Sequence, residues 1–185
     1  MIKQGVKMKT YISIIIMSIT LSTQAADKAF PSTEPGSIEF KKIPAHTLIY
    51  SETDRSYFSE NNGLFGKLFN YIQSNQIPMT SPVKADINPG KMYFYIGSPE
   101  THAPLVDTKG VKVVEEEAYW VISMAKRGAY SRENFNETEQ ALYTALRKSD
   151  DWKATGPAYA IYWNGPYVPS FMKQYEVHIP VAPKK

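Results

Sequence analysis

Few side chains in this sequence are of a type and spacing that could do chemistry. The histidines are His46, His102 and His178, and no two of them stand at metal-ligand spacing. There is no cysteine, which removes a thiolate metal site, a cysteine nucleophile and any disulfide. Glycine-rich phosphate loops, HExxH and GxSxG are absent. No nucleophile–base pair can be recovered, so an enzyme is not expected. One carboxylate stands out. Glu176 is embedded in the strand-like run Tyr175–Val181, on the same face as His178 and opposite Val177 and Ile179. Inside an apolar groove it would attract a cationic or hydrogen-bonding ligand. On an outward face it would only be solvated. The second feature is the loop Trp163–Met172, WNGPYVPSFM, which carries Trp, Tyr, Phe and Met together with two prolines. A proline-stiffened apolar loop suits a flat hydrophobic ligand, or else it folds back onto the core.

The elements that must position these residues follow from periodicity. Ile38–Tyr50 reads as a strand broken near Pro44. Tyr57–Ser74 reads as a helix, with Leu64, Leu68 and Tyr71 on one side and Phe65, Phe69 and Ile72 beside them. Met79–Ile87 and Met92–Ile96 are strands around the turn Asn88-Pro89-Gly90. The second half repeats the order. Val111–Val114 and Tyr119–Lys126 are strand-like, and Tyr159–Trp163 and Tyr175–Val181 close the chain. Between these pairs lies a helix over Asn136–Lys148, with a capping-box pattern at Asn136 and Glu139. A duplicated βαββ unit is expected: an α+β domain with two amphipathic helices on a mostly antiparallel sheet, and a groove between the halves.

The termini and the charge bound the class further. Met1–Thr10 carries Lys3, Lys7 and Lys9 and no acid, the run Tyr11–Leu21 is apolar, and Ser22–Ala26 is small-residue rich. This predicts a secretory signal peptide over residues 1–25, too short to span a membrane as an anchor. Of the 21 basic and 18 acidic residues, the signal takes three lysines, leaving 18 and 18. A neutral chain has no electrostatic case for nucleic acid. Residues 26–36 are polar and proline-bearing and read as a flexible lead-in to a single domain over 37–183. The expected location is the periplasm or the extracellular medium, with no membrane anchor after cleavage.

Several of these residues together resemble the SOUL heme-binding family. NQIPMTSPV, Asn75–Val83, resembles the family's I-x-MT-x-PV signature, and Phe69–Gln73 precedes it as the family's helix end does. Tyr162–Val177 is similar to its closing Y-N-x-P-F…R-x-N-E-V pattern, with Asn164, Pro166, Glu176 and Val177 matching. The resemblance implies a distorted barrel-like sheet and a non-covalent heme or tetrapyrrole ligand. The family's first-strand histidine falls at Lys42, with His46 four residues on. The implied heme contacts are His46 or Lys42, Phe65 and Phe69 of the first helix, and Tyr167, Phe171, Met172 and Lys173 of the loop. The fold is similar to the GyrI-like small-molecule-binding domains. That implies an alternative: a cationic or aromatic ligand in the groove at Glu176, with Tyr119, Trp120 and Tyr162 as walls.

Overall fold

Period-two alternation writes two faces onto nearly every strand. In β9 (Gln174–Pro183), Tyr175, Val177, Ile179 and Val181 face one way, and Glu176 and His178 the other. The computed structural model describes residues 27–59, 63–97 and 102–184. The expected signal peptide lies outside them. No helix among the described residues is long and apolar enough to cross a membrane.

The remaining elements are β1 (Ile38–Ile43), β2 (His46–Glu52), α1 (Gly63–Ser74), β3 (Val83–Asp86), β4 (Lys91–Tyr95), β5 (Lys112–Glu116), β6 (Tyr119–Arg127), α2 (Arg132–Arg147), β7 (Trp152–Ala154) and β8 (Tyr159–Tyr162). All strand pairs are antiparallel, in the order β1-β6-β9-β8-β3-β4-β2-β5, with β7 also on β9. The α+β class and the two repeats are as expected. The halves β2-α1-β3-β4 and β6-α2-β8-β9 meet at the β8–β3 pair in mirrored order. Each half also gives its extra strand to the other: β1 pairs with β6, and β5 with β2.

That exchange forces curvature. Only Pro44 and Ala45 join β1 to β2, and only Glu117 and Ala118 join β5 to β6. In a flat sheet β1 and β2, six places apart, would be separated by roughly 29 Å. Three steps of extended chain reach about 11 Å. The sheet therefore curls into a half-barrel until its edges approach. α1 covers the outer face through Leu64, Leu68 and Ile72 on Ile49, Met92 and Phe94. α2 does the same through Phe135, Leu142 and Leu146 on Ile122, Val177 and Ile179.

Three local expectations are corrected. α1 does not begin at Tyr57. A 3-10 turn spans Tyr57–Ser59, and the Tyr57 N–H is committed to the Ile87 carbonyl, 2.9 Å away, rather than to a helix. α2 begins one turn earlier than expected. Its N-cap is Ser131, whose Oγ accepts from the Asn134 N–H at 3.2 Å, and Asn136 lies inside the helix. Ser131→Ala is therefore expected to cost about 1 kcal/mol in urea unfolding, and Asn136→Ala at most a few tenths. Equal losses would refute this cap. Lastly, β3 starts at Val83 and not Met79. Both backbone groups of Ser81 serve residues 27–29: Ala29 N–H donates to the Ser81 carbonyl at 2.8 Å, and Ser81 N–H to the Asp27 carbonyl at 2.9 Å.

Candidate functional site

The inner face of the curl is lined by what the alternation leaves over: Leu48, Tyr93, Tyr95, Val121, Tyr159 and Ile161, with charged groups among them. Glu176 is fully buried and accepts six hydrogen bonds. Its Oε1 takes Trp163 Nε1–H at 2.7 Å and the Thr33 N–H at 2.9 Å. Its Oε2 takes Lys41 Nζ at 2.7 Å, His178 Nε2 at 2.7 Å, Ser123 Oγ at 2.9 Å and Thr33 Oγ1 at 3.2 Å. Burial pushes this carboxyl upward, but the bonds from His178 and Lys41 and the lysine charge outweigh it and hold it at about 2. His178 is fully buried, and burial pushes its imidazole down. Its partners assign a neutral ring: Nε2–H donates to Glu176, and Nδ1 accepts from Tyr159 Oη at 3.0 Å.

A second ion pair, buried Lys84 with half-buried Glu116, lies further along the same face. Lys84 Nζ sits 4.8 Å from the ring centroids of both Tyr93 and Tyr159. Tyr119 Oη lies 2.9 Å from Tyr159 Oη. A line of neutral donors, Tyr119 to Tyr159 to His178, thus runs between the two pairs. It can orient hydrogen bonds over the whole face at no net charge. Among the described residues no cluster of three His, Asp or Glu could hold a metal ion.

The structure divides the sequence-predicted residues. Glu176 and Tyr119 lie on the inner face. Trp120 and Tyr162 do not, which corrects the expected groove walls. Trp120 is 40 % exposed and packs on Trp152 outside, at 5.4 Å between ring centroids. Tyr162 stacks on Tyr130 beneath the helix layer, at 4.2 Å. Neighbours in a strand point to opposite faces, so Tyr119 and Trp163 go in as Trp120 and Tyr162 go out. The same rule turns Lys42 outward and Lys41 onto Glu176. His46 is on the inner face behind Phe30, and burial pushes its imidazole down.

The loop residues form a separate surface. Tyr167 is 99 % exposed, Phe171 76 % and Met172 53 %. Their base is fixed: Asn164 Oδ1 accepts from the Gln174 N–H at 2.6 Å, Tyr130 Oη donates to the Gln174 carbonyl at 2.9 Å, and the Gly128 N–H donates to the Lys173 carbonyl at 2.9 Å. Lys173 Nζ lies 5.0 Å from the Tyr130 ring centroid. Phe65 and Phe69 stack on each other at 5.7 Å on α1, over β2 and β4, while the loop is tied to the corner between β6 and α2. Lys42 is remote from both, paired with Trp120 at the opposite end of β6 from Arg127.

Sequence reasoning missed Phe30, Thr33, Lys41 and Ser123, and it read Trp163 as a loop aromatic where the structure puts its Nε1–H on Glu176. The polar, proline-bearing stretch 27–36 was expected to be flexible. It is packed instead, with Phe30 4 % and Thr33 1 % exposed on the inner face. Lys41 alone carried a legible signal, since strand alternation puts it in phase with Glu39 and Ile43 rather than with Lys42.

A curled, duplicated antiparallel sheet with two outer helices and a polar-aromatic inner face defines a SOUL/GyrI-like fold. Residues 28–180 match the profile of the SOUL heme-binding protein family, and this chain belongs to that family. Among solved structures, it resembles EcmrR in an EcmrR–DNA complex, with TM-score 0.61 and 12% identity over 78% of this chain; it spans 57% of that chain. It resembles the EcmrR C-terminal domain with TM-score 0.59 and 13% identity over 79% of this chain and 97% of that one. A structure described as a hydrolase from Listeria innocua gives TM-score 0.52 and 13% identity over 81% and 94% of the two chains. At these identities the likeness is one of fold alone. A search of curated proteins found no match.

Proposed function

We propose that this chain is an exported, non-catalytic heme- or tetrapyrrole-binding protein, a carrier or buffer in the periplasm or outside the cell. The observation that carries this reading is the β8–β9 loop. Tyr167, Phe171 and Met172 stand exposed on a base clamped by Asn164, Gly128 and Tyr130. A pre-set apolar surface binds a flat ligand without a large ordering cost. Lys173 and Arg127 flank it and suit the two propionates. Membership of the SOUL family supports the ligand class.

Hemin titration followed at the Soret band tests this. Burying each of the three tip side chains contributes about 1.5–3 kcal/mol, so replacing all three by alanine should weaken binding by at least about a hundredfold. Unchanged affinity would sink the reading. Phe30 and Trp163 separate His46 from the loop, so His46→Ala should keep the Soret shift.

A second reading places a small aromatic ligand in the groove at Glu176. It is favoured by two buried polar atoms there, Tyr95 Oη and His46 Nε2, which have no hydrogen-bond partner among the described residues. Lys41 already compensates Glu176, so this reading moves away from a cationic ligand toward an uncharged one.

A further inference from the structure

The groove at Glu176 already has an occupant, a segment of the same chain. The ring of Phe30 lies 5.4 Å from Tyr95, 5.6 Å from Trp163, 6.0 Å from His178 and 6.3 Å from His46. All four neighbouring rings carry hydrogen-bonding atoms. Phenylalanine offers them no hydrogen bond, and two of those atoms, Tyr95 Oη and His46 Nε2, are left without a partner among the described residues. Tyr95 is only 1 % exposed, so the mismatch is deep in the fold. Three residues on, Thr33 completes the mimicry by donating its N–H to Glu176.

The segment is held without a strand ladder. Isolated bridges fix its flanks, Lys28 with Ser81 and Pro35 with Ala125. Between them Thr33 donates its N–H and Oγ1 to Glu176, and its carbonyl accepts from Gln174 Nε2 at 3.2 Å, so a ligand must replace those bonds. Asp27, Lys28, Pro31 and Glu34 are exposed, so among the described residues no element lies over the segment. Beside it lies a cavity of about 340 Å³, lined in part by Lys28, His46, Thr80 and Tyr95, within the size range of small-ligand sites.

We propose that Phe30–Thr33 is a displaceable internal occupant of a site for a small, uncharged, planar aromatic molecule bearing hydrogen-bonding substituents, which binds by expelling the segment. The inference rests on the second reading above. The ligand is uncharged because the charges around the segment are already matched, Glu176 by Lys41 and Lys84 by Glu116, while Asp86 further along the face is held by the Tyr93 hydroxyl. Its polar substituents meet Tyr95 and His46. The closed segment lowers apparent affinity by the fraction of molecules in which it is open.

The test uses the protein purified as the cell processes it, with 1-naphthol as fluorescent probe and ethidium as cationic control. Phe30→Ala should bind 1-naphthol at least about tenfold more tightly than wild type, as expected for removal of a largely closed competitor. Ethidium should not gain. The chain has no cysteine, so a Lys28→Cys, Ser81→Cys pair can pin the segment without side reactions. Oxidation of that pair should abolish 1-naphthol binding and reduction should restore it, within one folded protein. Tyr95→Phe should weaken binding to Phe30→Ala. If wild type, Phe30→Ala and both redox forms bind equally, and Tyr95→Phe weakens them all, displacement is overturned and the groove reading stands. If Phe30→Ala keeps its native melting curve and binds no 1-naphthol, both are overturned.

Discussion

Glu176→Gln is expected to lower the unfolding free energy by about 3 to 5 kcal/mol, the range for removing one member of a buried ion pair. The side chain is fully buried, and six donors converge on its two oxygens. Glutamine keeps the shape but turns one acceptor into a donor. If its amide nitrogen points toward Trp163 and the Thr33 N–H, two donors face a donor. If it points the other way, Lys41, His178, Ser123 and the Thr33 hydroxyl do. Lys41 is left with a partial substitute, Glu39 at 3.6 Å, which is 45 % exposed and correspondingly weak. Adding Lys41→Met should recover part of the loss, because the stranded charge goes with it. A urea titration in which Glu176→Gln loses less than about 1 kcal/mol would refute a structural role for the pair.

The same residue sets the acid limb of stability. Its carboxyl is held at about 2 in the folded protein, against an ordinary value of 4.5. Its stabilisation is therefore complete above pH 4.5 and is lost as the pH falls toward about 2. A shift of that size corresponds to roughly 3 kcal/mol. His178 acts in the same direction from higher pH. Burial lowers its imidazole below the ordinary 6.5, so protonation favours the unfolded chain as the pH drops under that value. Glu176→Gln should flatten the part of the curve of unfolding free energy against pH that belongs to the carboxyl; it also removes the group that raises the His178 imidazole, so the His178 limb should extend to lower pH.

Strands and helices were legible because their patterns are local. β9 alternates without a break, and both helices show apolar residues at helical spacing. The inner face was legible only as one carboxylate in an apolar strand. Its walls were not, and the reason is specific. Tyr119-Trp120 and Tyr162-Trp163 are aromatic at both phases of the alternation, so hydrophobicity cannot say which ring goes in. The Trp163 bond to Glu176 decides it, and that contact exists only once β8 has paired with β9. Phe30 was missed for a related reason. A segment of ten polar, small and proline residues with one phenylalanine has no period. Its order comes wholly from a receptor surface built by β2, β4, β8 and β9. The exchange of β1 and β5 between the halves was also invisible, since two-residue links look like ordinary tight turns until strand order is known.

Gly90→Ala is expected to destabilise the fold by more than about 3 kcal/mol, at the severe end for adding one methyl group. In the sequence Gly90 reads as a turn glycine after Asn88-Pro89, valued for conformational freedom. Its backbone is not left-handed; the glycines that need positive φ are Gly36 and Gly128. What Gly90 supplies is space. A Cβ there would sit 2.6 Å from the Tyr57 nitrogen, 2.8 Å from its Cα and 2.9 Å from the Arg55 carbonyl oxygen. All three are backbone atoms, so no rotamer change relieves the overlap. Nor can the segment slide, because it is bonded on both sides of the contact. Gly90 N–H donates to the Arg55 carbonyl at 2.7 Å, Thr53 N–H to the Gly90 carbonyl at 2.9 Å, and Tyr57 N–H to the Ile87 carbonyl at 2.9 Å. Moving residues 55–57 outward would break these bonds and pull Tyr57 off Tyr162 and Phe58 off Phe135. Gly66 is the control. It lies in α1 with nothing within 4 Å of an added Cβ. Gly66→Ala should therefore stabilise the protein by about 0.5 to 1 kcal/mol through helix propensity and a less flexible unfolded chain. Opposite signs for two glycine-to-alanine changes in the same denaturation assay would separate space from propensity. A Gly90→Ala variant as stable as wild type would show that the β3–β4 turn can part from residues 55–57 without disturbing the start of α1.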